Sequence, residues 1–208
     1  MGSRALFDLT CVASACTCHH CTAVGGVHLE EGCHFLKFVR AALVAFVRCV
    51  PFSSPGDRLL ETEGLFEGDI LLPKGHSEDR GVVTKDVRLW PKGVIPYVIK
   101  PRTAGDIKRI RDGMASIEAL SCLRFVERTT EDDYIFIDFS KGCSSSIGRQ
   151  GGQQVLSLEK GCLAKATVMH ELLHAAGFYH EHSRSDRDDY VVIFPENVKK
   201  GKMHNFNK

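Results

Sequence analysis

Four histidines fall within VMHELLHAAGFYHEHSRSDRDDYVVI, Val168 to Ile193, and three of them have the spacing of metal ligands. On a helix, His170 and His174 stand one turn apart and point the same way. Two imidazoles on one face can hold zinc at about 2.0–2.1 Å each. Glu171 follows the first histidine and cannot readily aim at the same spot. Its carboxylate lies beside the ion, where it can take a proton from metal-activated water. Gly177 is where the chain can leave the helix with positive φ, and His180 then swings back as the third ligand. Three protein ligands leave one position open, which a catalytic zinc needs and a structural zinc lacks. A surface helix that happens to carry His-Glu-x-x-His is a common accident; the longer His-Glu-x-x-His-x-x-Gly-x-x-His is not.

Several elements must position these residues. VIPYVI (Val94 to Ile99) reads as a short strand, with Pro96 pointing to an edge or a strand start. A helix opens on a capping Thr103 with Asp106 three residues on, and carries Ile107, Ile110, Met114, Ile117 and Leu120 at helical spacing. LRFVER and YIFIDF alternate and carry β-branched or aromatic residues, as strands do. KGCSSSIGRQGG reads as a loop and QQVLSL as a further strand, before a helix from about Ala164 to Ala176 that stops at Gly177. The order β-α-β-β-loop-β-α predicts an α+β fold, a mixed sheet with helices on it.

The rest of the chain says less. A formal charge of +1, with 25% charged and 43% hydrophobic residues, is that of an ordinary globular protein. Nucleic-acid binding would show as a basic excess, which is absent. FLKFVRAALVAFVRCV, Phe35 to Val50, is broken by Lys37, Arg40 and Arg48; it reads as an amphipathic or buried helix, with an internal signal region as the minority reading. No stable membrane insertion is expected, and no clean secretory signal is visible. Six of the nine cysteines crowd residues 1–50, a usage more common in oxidising compartments, and the odd total leaves at least one thiol without a partner in the chain. CTCHHC fits no common zinc spacing. Residues 51–80, rich in Pro, Gly and acidic side chains, read as an extended linker or prosegment.

The long histidine pattern is the metzincin signature. HELLHAAGFYHEHSRSDRDDYV resembles the astacin family of zinc endopeptidases, matching at Gly177, Phe178, His180, Glu181, Arg184, Asp186, Arg187, Asp188 and Tyr190. RLWPKGVIPYVI is similar to the start of its catalytic domain, and CLRFVERTTEDDYIFI to its second and third strands. The likeness covers about Phe66 to Lys208, and GRQGGQQVLSL resembles egg-associated and hatching-enzyme-like members. It implies one Zn2+ on His170, His174 and His180, Glu171 as the catalytic proton carrier, and protein or peptide substrates. It also implies a zincin-like N-terminal subdomain with a twisted mixed sheet and two main helices, and secretion.

FEGDI resembles the family's prosegment motif, so Asp69 is expected on the open zinc position as a latency ligand. The division expected is a leader over 1–50, a prosegment over 51–80 and catalytic-domain sequence over 81–208. Cutting at Arg80-Gly81 suits a trypsin-like activator, with Lys85-Asp86 the second choice. The resemblance implies that the new N-terminus, Gly81, pairs with Glu181, since a buried ammonium needs a partner. It also implies a Cys143–Cys162 disulfide, and a partner for Cys122 beyond Lys208, leaving Cys122 unpaired here. Met203-His204 is followed by Asn205 rather than Tyr and comes too soon after His180, so it is not the family's Met-turn. The expectation is therefore the N-terminal part of an astacin-like domain, lacking the C-terminal subdomain. A non-catalytic half-domain that binds zinc or a partner shares every one of these motifs.

Overall fold

The computed structural model describes residues 62, 64–72 and 89–208. Elements are numbered here in chain order. A two-residue strand β1 (Ile70–Leu71) precedes β2 (Val94–Ile99), helix α1 (Ala104–Glu118), β3 (Arg124–Glu127), β4 (Tyr134–Asp138), β5 (Cys143–Ser146), β6 (Gln153–Leu158) and helix α2 (Lys165–Ala176). The six strands form one mixed sheet in the order β1-β5-β6-β4-β2-β3. β3, β2, β4 and β6 run parallel, β5 is antiparallel to β6, and β1 adds parallel to β5. Among the described residues, the expected α+β architecture with a mixed sheet and two helices is the one found.

α1 forms where its signals place it. Thr103 Oγ1 accepts from the Asp106 backbone N–H at 3.2 Å, satisfying one of the free donors of the first turn. Ile110, Gly113, Met114 and Ile117 are the buried face. Leu120 falls beyond the last turn and is 41% exposed, so the apolar stripe ends at Ile117. Gly113 lets the two helices touch: a Cβ there would meet Val168 Cγ1 of α2 at 2.6 Å. Ten of the twelve residues of α2 are buried, which makes it a central helix rather than a surface one. Trp90 closes the core by donating its indole N–H to the Ala175 carbonyl at 2.7 Å.

Two expectations need correction. KGCSSSIGRQGG is not wholly a loop, because Cys143–Ser146 is strand β5. Serines have little strand preference, but here the backbone is paired on both sides, by β6 and by β1, and that tertiary pairing decides. Cys122, after α1, is disulfide-bonded rather than unpaired. An odd cysteine count requires one thiol left over but does not say which. Cys143 and Cys162 form the expected disulfide. The 1–50 leader, CTCHHC, the Phe35–Val50 segment, Gly81 and the Lys85-Asp86 bond lie outside the described residues. Among the described residues, no helix is long and apolar enough to cross a membrane.

Candidate metal centre

α2 delivers two of the three expected ligands from one buried face. His170 and His174 are 2% and 0% exposed, and their Nε2 atoms lie 3.0 Å apart. The helix then ends in a reversal. Gly177 takes φ 118°, its N–H donates to the Leu173 and His174 carbonyls, and the Phe178 N–H reaches Leu173 O at 3.0 Å. A side chain at Gly177 would be strained in that conformation. The reversal returns His180 to the cluster, its Nε2 3.2 Å from that of His170.

Asp69 completes the group. Its Oδ2 lies 2.9 Å from His170 Nε2, 3.2 Å from His180 Nε2 and 3.7 Å from His174 Nε2. The four residues, all buried, are spaced as a set that could hold a metal ion. An ideal tetrahedral zinc with bonds near 2.0–2.1 Å sets its donor atoms about 3.3–3.4 Å apart, so the donor spacing fits zinc. The chemistry agrees, since three imidazole nitrogens and a carboxylate oxygen converge in a space sealed from water. Lone pairs aimed at one another repel unless a cation or protons sit among them.

The protonation tendencies show the same conflict. Burial drives His170 down to about 4, in spite of Asp69 beside it. Burial also works against charge on His180, but the Asp69 and Glu67 carboxylates outweigh it and raise it to about 9. For Asp69, burial alone would raise the pKa, yet the His180 charge and the hydrogen bonds from the three histidines carry it well below the usual carboxylate range. Glu171 is fully buried and, among the described residues, neither carboxylate oxygen has a hydrogen-bond partner. That burial, with the Asp69 charge nearby, pushes it well above the ordinary value. A carboxyl so placed favours holding a proton.

The outward nitrogens of His174 and His180 are also committed. His174 Nδ1–H donates to the Phe178 carbonyl at 2.7 Å, which leaves Nε2 as the ligand atom. His180 Nδ1–H donates to Glu67 Oε2 at 2.7 Å, and Ser183 Oγ donates to the other oxygen of the same carboxylate. Sequence reasoning passes over Glu67. The available signal is its place two residues before Asp69 in FEGDI, across a glycine that lets the chain turn. His182 stays out of the group, as expected, stacked on the His180 ring and donating from Nε2 to the Asn205 carbonyl at 2.8 Å. Glu181 is ion-paired to Arg184 at 2.9 Å. Met203 sits in a C-terminal 3-10 turn and is 44% exposed.

The segment bearing Asp69 is held by backbone as well as by side chains. Phe66 and Ile70 bridge across a tight turn, with Glu67 at φ 50° and Gly68 at φ 101°. The Ser145 N–H of β5 then donates to the Asp69 carbonyl at 3.0 Å.

Comparison with known proteins agrees with this geometry. The family model described as "Astacin", a peptidase family, matches residues 82–208. Astacin-like metalloprotease toxin 1 of Loxosceles intermedia is 42% identical over 155 residues, covering 73% of this chain and 59% of the relative. Low choriolytic enzyme of Oryzias latipes is 42% identical over 153 residues, covering 70% and 56%. Zinc metalloproteinase nas-7 of Caenorhabditis elegans is 41% identical over 145 residues, covering 69% and 37%. Among solved structures, high choriolytic enzyme 1, a hatching enzyme zinc-protease from Oryzias latipes, superposes with a TM-score of 0.53 at 44% identity, covering 59% of this chain and 63% of that one. The chain thus spans from about a fifth to about two thirds of the length of the curated relatives it matches. With the family model covering more than half of its residues and a hatching enzyme sharing its fold, the chain belongs to the astacin family of zinc peptidases.

Proposed function

We propose that this chain is the latent precursor of a zinc-dependent endopeptidase, with residues 51–80 as prosegment and 81–208 as catalytic-domain sequence. The observation that carries the reading is Asp69 Oδ2 facing all three histidine Nε2 atoms from 2.9 to 3.7 Å. A carboxylate there fills the position a catalytic zinc must keep open.

His170, His174 and His180 would hold the metal, and Asp69 would cap it until the prosegment is cut. Bound zinc supplies a Lewis acid that acidifies water and polarises a carbonyl. Glu171 would accept the proton of the attacking water and deliver it to the leaving amine nitrogen. The buried faces of α2 keep bulk water from the remaining sides of the site. Cleavage after Arg80 by a trypsin-like protease would make Gly81 the mature N-terminus, and its ammonium would take over Glu181 from Arg184. The Cys143–Cys162 disulfide supports work in an oxidising, extracellular setting.

The test is metal content together with casein or gelatin cleavage, before and after trypsin treatment. One zinc per chain, and cleavage only after conversion to a species beginning at Gly81, are the expected results. Full conversion with zinc retained and no cleavage would overturn the endopeptidase reading in favour of a non-catalytic zinc- or partner-binding half-domain. A mature species beginning at Asp86 would move only the activation site.

A further inference from the structure

The prosegment touches the cage at two points, and only one of them is a metal position. His180 is gripped on both ring nitrogens by residues two apart: Asp69 Oδ2 at Nε2, 3.2 Å, and Glu67 Oε2 at Nδ1, 2.7 Å. His174 differs, because its Nδ1 is held by Phe178 O of its own domain. The Glu67 carboxylate also takes the Ser183 hydroxyl, so one side chain bridges both ends of the 3-10 turn that follows His180. Glu67 reaches this position by adopting φ 50°, a left-handed conformation that a side chain takes only when its surroundings hold it there. The Glu67 side chain is 5% exposed, so its charge is committed to these partners rather than to water.

From this we infer that Glu67 is a positioning residue of the latent state: it orients His180 as a metal ligand, and the precursor holds its zinc more tightly than the mature chain does. The inference rests on the zinc-precursor reading above. A carboxylate on the far nitrogen of a ligand histidine fixes the ring and makes the near nitrogen a better donor. Asp69 blocks the site and Glu67 tightens it, so the two acidic residues of one motif have separate tasks. When the prosegment departs, His170 and His174 keep their helix, whereas His180 loses its partner at Nδ1.

The experiment is chelator-driven zinc release from the full, uncut chain, followed optically with a chromogenic chelator. Wild type is compared with Glu67→Ala and Ser183→Ala. Loss of such an outer partner typically costs ten- to a hundredfold in metal affinity. Glu67→Ala is expected to release zinc about tenfold faster or more, with Ser183→Ala between it and wild type. The Glu67→Ala precursor should still fail to cleave peptides before trypsin, because Asp69 remains in place. Cobalt-substituted precursor gives a second readout, with a shifted visible absorption band expected in Glu67→Ala. Trypsin-matured wild type and Glu67→Ala are the same molecule, and their release rates must coincide. A Glu67→Ala precursor within twofold of wild type would overturn the inference alone. So would one that cleaves peptide before trypsin, since Glu67 would then only dock the segment. A wild-type precursor that binds no zinc would overturn the zinc reading itself.

Discussion

The two sides of the metal cage are built on different principles. On one side, α2 carries His170 and His174 inside a core where ten of its twelve residues are buried. On the other, Glu67 and Asp69 stand on a turn joined to the sheet by a two-residue strand. The helix side cannot be withdrawn without unfolding the core. The segment side is held by a few hydrogen bonds, by the charges it presents and by one buried side chain, Ile70; in the proposed activation it would be lifted away once the chain is cut. One side buries most of a helix, the other a single apolar residue beside polar contacts at a sheet edge.

That contrast breaks first at Glu171, which belongs to the permanent side yet contributes no ligand. Glu171→Gln is expected to lower peptide turnover of the trypsin-treated chain by a factor of about 10³ or more, with zinc content unchanged. Turnover near the parent rate would remove Glu171 from the chemistry. Asp69→Ala should act on the removable side alone. The uncut chain would gain cleavage of a quenched peptide, expected at about tenfold or more above the wild-type precursor, while retaining its metal. If it stays silent until trypsin is added, the block lies elsewhere in the prosegment.

Two smaller effects probe how the permanent side is held. Gly113→Val puts atoms where Val168 Cγ1 already lies within 2.6 Å of an added Cβ, and should cost about 1–3 kcal/mol in denaturant unfolding. Pairing it with Val168→Ala should recover part of that cost, whereas strict additivity would deny that the helices meet there. Thr103→Ala, which removes the α1 cap, should cost about 1 kcal/mol and leave metal binding alone. If metal release quickens in Thr103→Ala, α1 and the cage are coupled more closely than the packing implies.

What can be read from the sequence follows the same division. α2 announces itself because its ligands, its apolar face and its terminal glycine all repeat at helical spacing, and each depends on neighbours a few residues away. Thr103 and Asp106 are legible for the same reason. β5 is hidden because Cys143–Ser146 has the composition of a loop, and only the strands on either side make it a strand. Glu67 is hidden because its partners, His180 and Ser183, are more than a hundred residues away. The bonding of Cys122 escapes because sulfur pairing is a matter of space and not of spacing.

The left-handed turn at Gly177 has a geometric consequence. A straight helix presents its side chains along a line, and points on a line cannot surround an ion. His170 and His174 would supply one side of a metal site, and the third histidine must arrive from another direction within a few residues. Gly177 sets that change of direction, so the angle between the ligands is determined by a residue that has no side chain. Between that glycine and His180, the number of residues should therefore matter more than their composition. Adding or removing one residue there would rotate His180 off its corner.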